Sequence, residues 1–304
     1  MLKKIDKSIT SVFGLAYQRV QFEIGSFRGD LVNAYWYNKI VNFGDLLLPS
    51  LLRDYGLRPI YSEIQSADIV SIGSILHILP EDFSGYIVGS GLMHDTVRRF
   101  SFAKIFAVRG ELTRERIGAP ISTILGDPGL LADRLLRKRQ EKKFLIGIVP
   151  HYVDKSDERI QKIYQQYKNE IIIIDIQRNP KYVISEIDKC SFIISSSLHG
   201  IVVADSLGIP NAWMVLSDKV KGSGFKFFDY ASAFGMKYEP KYLSGHENLN
   251  DLIKMTHEVY DGIPMIKKEL DSVFIKLREE ILTVNRSRYK ASESNWFRTL
   301  GGRA

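Results

Sequence analysis

From residue 31 onward the chain alternates short apolar runs with stretches whose apolar positions recur every three or four residues. "LVNAYWY" (31–37), "ADIVSIG" (67–73), "GYIVGSG" (85–91), "KIFAVRG" (104–110) and "STILGD" (122–127) read as strands, and the last four end on Gly or Asp. "LLLPSLLRDYG" reads as a helix closing at Gly56, and "ELTRERIG" as a short helix between the last two strands. The charged "DRLLRKRQEKK" (133–143) reads as a helix leading to a domain boundary. The pattern then restarts. "FLIGIVPHY" is a strand, "SDERIQKIYQQYKNE" an amphipathic helix, "IIIIDI" a strand, "PKYVISEIDKC" a helix, "SFIISSS" a strand, "GIVVADSLG" a helix and "IPNAWMVL" a last strand. A run such as "IIIID" suits a strand buried on both faces. "SDKVKGSGFKFFDY" reads as a Gly-broken loop, and about 249 to 283 as a long helical stretch packed against both halves.

Strands alternating with helices predict mostly parallel sheets covered on both faces. The fold class expected is therefore α/β, with two doubly wound, Rossmann-like domains facing each other across a cleft. The segments are an N-terminal extension (1–30), an N-terminal α/β domain (31–138), a C-terminal α/β domain (139–248), a helical segment crossing between them (249–285) and a basic tail (286–304). In such sheets ligands sit beyond the carboxyl ends of the strands.

Composition narrows the classes. With 304 residues, 45% hydrophobic and 25% charged, the chain can bury a sizeable core. Its one cysteine, Cys190, excludes an internal disulfide framework and a Cys-based zinc site, and reads as a small buried apolar side chain. No run is long enough to span a bilayer, and the basic N-terminus lacks the apolar stretch of a signal peptide, so a cytoplasmic location is expected. The net charge of +7 favours acidic partners. No nucleic-acid motif accompanies it. The tail, with Trp296 and Phe297 among basic residues, reads as solvated and frayed, with a peripheral contact to anionic lipid as the alternative.

The polar and glycine-rich residues collect at strand ends, in "NFGD" (42–45), "GS" (73–74), "GSG" (89–91), "VRGELTRER" (108–116), "PHY" (150–152) and "SSSLHG" (195–200). Gly44 lets backbone approach a ligand, and Asp45 either caps the following helix or acts on a hydroxyl. Gly73, Gly91 and His151 line the same row of loops. Ser195, Ser196 and Ser197 offer hydroxyls beside a helix N-terminus, and His199 can move a proton near neutrality. Arg109, Lys219, Lys221 and Lys226 can hold phosphate or carboxylate. There is no D-x-D pair, no P-loop, no G-x-G-x-x-G after the first strand and no H-E-x-x-H. A mechanism without metal or cofactor, using His, Asp and cationic side chains, fits best.

In this order, "NFGD", "GSGL", "VRGELTRERIG", "LGDPGLLA", "IGIVPHYVD", "SSSLHGIVVADSLGIPNAW" and "GFKFFDY" resemble the polysaccharide pyruvyl transferase family, in the branch that decorates bacterial exopolysaccharides, over about residues 31 to 240. The resemblance implies a two-domain fold of the glycosyltransferase-B type. It implies phosphoenolpyruvate as donor co-substrate, a cyclic ketal as product, and a lipid-linked oligosaccharide or polysaccharide acceptor at the inner face of the cytoplasmic membrane. It places the motif histidine at His199 as general acid or acid/base, and the N-terminal Asp at Asp45, orienting or deprotonating the acceptor. Asn42, Gly44, Gly73, Gly91, Arg109, His151, Ser196, Ser197, Leu198, Lys219 and Lys226 are the expected substrate-binding set. Many members carry an arginine two residues before that histidine. This chain has Ser197 there, so another cation must meet the donor phosphate, and Arg109 and the lysines 219–226 are the candidates.

Two other readings stay open at this stage. One is a nucleotide-sugar glycosyltransferase of the same fold, with Glu186 or Asp205 on the ribose. The other is a non-catalytic factor binding an anionic glycolipid.

Overall fold

A computed structural model describes residues 30–222 and 224–301, with side chains as far as 287. The N-terminal extension, apart from Asp30, and the side chains of the Trp296–Phe297 tail lie outside the described residues. The chain forms two parallel sheets with helices. The first holds β1 (Leu31–Tyr35), β2 (Arg58–Tyr61), β3 (Ile69–Val70), β4 (Tyr86–Ser90), β5 (Lys104–Val108) and β6 (Ile124–Leu125) in the order β2-β1-β3-β4-β5-β6. The second holds β7 (Phe144–Val149), β8 (Ile171–Ile173), β9 (Cys190–Ser195), β10 (Asn211–Val215) and β11 (Lys241–Tyr242) in the order β11-β10-β9-β7-β8. Every pairing within both sheets is parallel.

Alternation along the strands divides the core into three. Ala34, Ile69, Val88 and Ala107 face one way from the first sheet, into a core shared with Val149 and Ile193 of the second. Tyr35, Val70, Ile87 and Val108 face the other way, under the irregular segments that follow β3 and β4. Ile146, Ile148 and Ile194 face the far side of the second sheet.

Between the sheets lies α5 (Leu198–Ser206), of which every residue is buried, as expected for a helix apolar all round. It packs on a 3-10 helix at Pro128–Leu135 and on β9. On the first-sheet side, α1 (Leu47–Asp54) buries Leu47, Leu48, Leu51 and Leu52 on one face. The helices α2 (Glu111–Ile117), α3 (Glu158–Gln166), α4 (Pro180–Asp188), α6 (Phe225–Ser232) and α7 (Leu249–Met255) complete the layers.

The last helix, α8 (Ile263–Gly301), shows a buried stripe of Ile263, Ile266, Leu270, Phe274, Leu277 and Ile281 at helical spacing. The stripe lies on the first sheet, with Phe274 stacked on Tyr55 at 4.9 Å. Lys267 reaches across to Asp133 (2.7 Å) and to the Ser206 carbonyl at the end of α5 (3.0 Å).

Several expectations are corrected. Residues 133–143 are not a helix: the 3-10 turn ends at Leu135, and the rest runs as a strap on the second sheet. Arg139 and the Gln140 N–H bind the buried Asp188 carboxylate (2.8 and 2.7 Å), which competes with helical hydrogen bonding. The isoleucine run forms β8 at the sheet edge, with Ile172 and Ile173 only partly buried. The stretch expected as a loop at 217–230 contains α6, opened by Gly224 at φ 81°. The helical stretch from 249 is two helices, broken where His257 bridges Asn211 and where Pro264 opens the next. Strands β2 and β11 were not anticipated. β2 carries Pro59, which an edge strand tolerates.

Candidate active site

Both sheets have the same reversal in strand order. In the first, β1 lies between β2 and β3. In the second, β7 lies between β8 and β9. The loops leaving the two strands at each reversal, β1 and β3 in the first sheet and β7 and β9 in the second, therefore diverge and open a crevice at each carboxyl edge. Asn42–Asp45 and Gly73 lie at the first crevice, and His151 and Ser195–His199 at the second. The two crevices meet, because the Phe43 N–H donates to the Ile176 carbonyl at 2.9 Å.

At that junction Gly44 lies directly against the His199 ring. A Cβ on Gly44 would sit 2.0 Å from His199 Nδ1. The close approach expected at Gly44 is thus to His199, and its N–H is held by Asn42 Oδ1 at 3.1 Å. Asn42 shapes this turn. Asp45 does not cap α1, whose cap position is Leu46 with no side-chain bond. Its carboxylate instead points at the next crevice loop: a Cβ on Gly73 would lie 3.0 Å from Asp45 Oδ1. Burial pushes Asp45 up to about 7, with the Lys226 ammonium opposing and the Asp127 carboxylate adding. Its charge is also felt by the phenols of Tyr35 and Tyr152.

His199 is held edge-on to Phe43 at 6.5 Å. Its Nε2 faces Asp127 Oδ2 at 3.9 Å, and both atoms are buried with no hydrogen-bond partner. Asp127 follows β6, and its other oxygen accepts the Gly129 N–H at 2.8 Å. Burial pushes His199 down to about 3, and the charges of Lys226 and Arg109 and the His151 ring add to this. Burial pushes Asp127 up to about 6, against the Gly129 bond and the Arg109 charge.

Lys226, on the first turn of α6, is only 9% exposed. No hydrogen bond or salt bridge ties down its ammonium among the described residues; it lies 5.5 Å from the Phe227 ring centroid. Burial pushes it down to about 8, Arg109 lowers it further, and Asp45 and Asp154 oppose this.

Arg109 differs from its expected role. It is fully buried and donates to Asp229 Oδ2 (2.8 Å), Ser74 Oγ (2.5 Å) and the Leu92 carbonyl (2.6 Å), its guanidinium lying against Gly91. Asp229 also takes the Thr113 N–H and hydroxyl, both at 2.7 Å. Arg109 therefore ties α6 to the first sheet and acts on the cleft through its field. Lys219 is exposed and is not brought to the cleft with Lys226.

The serines divide by role. Ser195 Oγ accepts the Ser197 N–H (3.0 Å) and lies 2.9 Å from the Val149 carbonyl. Ser196 Oγ accepts the His151 N–H (2.8 Å) and donates to Asp154 Oδ2 (3.1 Å). These two shape the backbone. Ser197 stands at the N-cap of α5 without capping it, and Leu198 packs into the core. His151 is pushed down to about 4 by burial and then by Lys226.

Beyond Ser196 a groove of about 450 Å³ runs past Ser217 and Lys221. Its walls include Trp213, stacked on Phe227 at 4.4 Å, and the half-exposed ring of Phe228.

Reading the sequence missed Asp127, Asp154, Asp229 and this groove. The carboxylates all stood in quoted motifs ("LGDPGLLA", "IGIVPHYVD", "GFKFFDY"), where the available signal was an Asp at a strand end (Asp127), beside a Lys (Asp154) or three residues after one (Asp229).

A family model described as polysaccharide pyruvyl transferase matches residues 14–218. The succinoglycan biosynthesis protein ExoV of Rhizobium meliloti (strain 1021) is 28% identical over 227 residues, covering 68% of this chain and 66% of that protein. An uncharacterized protein of Acanthamoeba polyphaga mimivirus is 35% identical over 159 residues, covering 50% of this chain and 55% of its own. The chain thus spans between about half and two thirds of the length of these relatives.

Proposed function

The chain belongs to the polysaccharide pyruvyl transferase family, and on that premise we propose that it moves pyruvate from phosphoenolpyruvate onto two hydroxyls of a sugar in a surface or exopolysaccharide repeat unit. The product is a cyclic ketal, and phosphate leaves. The observation that carries this reading is Lys226: a nearly buried ammonium, without a salt-bridge partner among the described residues, whose charge acts on both Asp45 and His199. An unpaired cation in a desolvated place is a seat for an anion. It also supplies the positive charge that Ser197 does not.

In the proposed sequence the donor's phosphate and carboxylate lie against Lys226 and the first turn of α5. Bound anion offsets the burial and the cationic field that together keep His199 neutral, so the ring takes up a proton. His199 gives a proton to the methylene carbon as the first sugar oxygen bonds to the central carbon, and that hydroxyl's proton passes to Asp45. The second hydroxyl then bonds to the same carbon as its bond to the phosphate oxygen breaks. The second proton leaves with the phosphate, and Asp45 returns its proton to His199. The acceptor sugar lies along the Trp213–Phe228 groove. Its lipid carrier places the enzyme at the inner face of the cytoplasmic membrane. No helix among the described residues is long and apolar enough to cross a membrane.

The nucleotide-sugar reading finds less support. Asp205 is sealed in the core by Asn211 (2.7 Å) and Tyr230 (2.7 Å), and Glu186 is paired with Lys189 (2.6 Å), so neither carboxylate is offered to a ribose.

Calorimetric titration of phosphoenolpyruvate, with UDP and CMP in parallel, tests the proposal. Phosphoenolpyruvate alone is expected to bind, and Lys226→Met is expected to weaken it about 10- to 100-fold, the loss of a charge-assisted contact. Heat from a nucleotide and none from phosphoenolpyruvate would move the assignment to a glycosyltransferase.

A further inference from the structure

Asp127 and His199 come from opposite sheets and meet with nothing between them. Asp127 Oδ2 and His199 Nε2 are each buried and unbonded, 3.9 Å apart. An orphaned polar atom in the interior is costly, and two orphans facing each other satisfy both at once. The gap is too short for a water in line, and a movement of about 1 Å closes it to a direct hydrogen bond. Both side chains are tethered so that they keep facing. Asp127 is fixed through its other oxygen to the Gly129 N–H at 2.8 Å, and the imidazole is wedged between Gly44 and Phe43. Nδ1, by contrast, lies against Gly44, at the junction of the two crevices.

We propose that Asp127 is the positioning residue for His199: its Oδ2 takes the Nε2 hydrogen, leaving Nδ1 as the nitrogen that exchanges protons in the cleft. Of the charged and titratable groups that bear on His199, Lys226, Arg109 and His151 all disfavour the imidazolium. Asp127, itself in the field of Arg109 and Asp229, is the carboxylate that faces the ring at 3.9 Å. The carboxylate would fix the tautomer while the ring is neutral and hold the imidazolium once Nδ1 has taken a proton. The pair also explains why the cleft needs both sheets docked, since neither alone holds an oriented imidazole. The pair itself stands on geometry; its catalytic consequence rests on the pyruvyl-transfer reading.

The test is nitrogen NMR of the full chain labelled with ¹⁵N-histidine, His199 being assigned by the signal lost in His199→Gln. At neutral pH, His199 is expected with its proton on Nε2. Asp127→Asn keeps an oxygen for the Gly129 N–H, but its amide can donate to Nε2, so the proton is expected to move to Nδ1. The chain has six histidines, and unchanged signals from the other five would show the fold intact. A wild-type His199 protonated on Nδ1, or a tautomer unmoved in Asp127→Asn, overturns the proposal. If that variant does not fold, the wild-type tautomer alone decides. In turnover with phosphoenolpyruvate, the variant is expected to lose about 100-fold or more in kcat while KM for phosphoenolpyruvate moves less than about threefold. The expected tautomer shift without any pyruvyl transfer, even in the parent chain, would sustain the pair and sink the functional reading instead.

Discussion

The first sheet reaches its six strands with two α-helices between them, α1 and α2, whereas the second places four, α3 to α6, between its five. The crossings after β3 and β4 are irregular segments whose Leu76, Leu79, Phe83, Leu92 and Phe100 do the covering that helices do elsewhere. The two strand orders nevertheless follow one plan, each with its reversal beside the second strand from one edge. What differs is the chemistry delivered there. The first sheet brings carboxylates, Asp45 and Asp127. The second brings imidazoles, His151 and His199, and the ammonium of Lys226. Each half is chemically incomplete, so the joint between them matters as much as either crevice.

Breaking that joint carries the largest expected effect on stability. Arg109 and Asp229 are both fully buried and pair at 2.8 Å across the halves. Asp229→Ala leaves a buried guanidinium without its counter-charge and is expected to cost about 3–5 kcal/mol. Urea denaturation measures it. A double variant, Arg109→Met with Asp229→Leu, is expected to recover much of that loss while leaving Lys226 misplaced. A single variant costing under about 1 kcal/mol would mean that α6 is held by its apolar contacts, Phe227 and Tyr230, and that the ion pair is not the joint.

This joint also shows where sequence reading stops. The strands other than β2 and β11, the parallel sheets and the row of loops at their ends were legible, because apolar runs and terminal Gly or Asp residues are local signals. Asp45, His199 and Lys226 were legible as chemistry for the same reason. Arg109 was legible only as a cation after a strand. That it is spent on Asp229, 120 residues later, is a tertiary fact with no local trace. α6 was hidden because the glycines before it and four aromatic rings within it mask its helical period. The segment 133–143 has helical composition, and only the buried Asp188 carboxylate reveals why 136–143 stays extended.

A smaller change sharpens the contact between the crevices. Gly44 has room for no side chain: its Cβ would meet His199 Nδ1 at 2.0 Å and Cγ at 2.3 Å. Gly44→Ala must displace the ring. A stability loss of about 1–3 kcal/mol is expected, as for other overpacked sites, together with a fall in kcat larger than any change in phosphoenolpyruvate affinity. Equal turnover in variant and parent would show that His199 works from another position than the one between Gly44 and Phe43.

The subtlest contrast is in how the two crevices answer pH. The carboxyls of Asp45 and Asp127 are held up to about 7 and about 6, whereas in the unfolded chain they ionise near 4. Between about pH 4 and 6 the folded state thus keeps protons that the unfolded state has lost, and this contribution to stability falls as pH rises. His199 and His151 are held down to about 3 and about 4, whereas unfolded imidazoles titrate near 6.5. Over the same window the unfolded chain binds protons that the folded chain refuses, and this contribution rises with pH. Each group supplies at most about 1.4 kcal/mol per pH unit. Two against two, the site's effect on stability is expected to be nearly flat from about pH 4 to 6. Removing one side unmasks the other: relative to the parent, the stability of His199→Gln should fall across the window and that of Asp45→Asn should rise, as urea midpoints at its two ends would show. Slopes of the same sign in both variants would break the contrast, because the carboxylates would then share their protons with the histidines rather than oppose them.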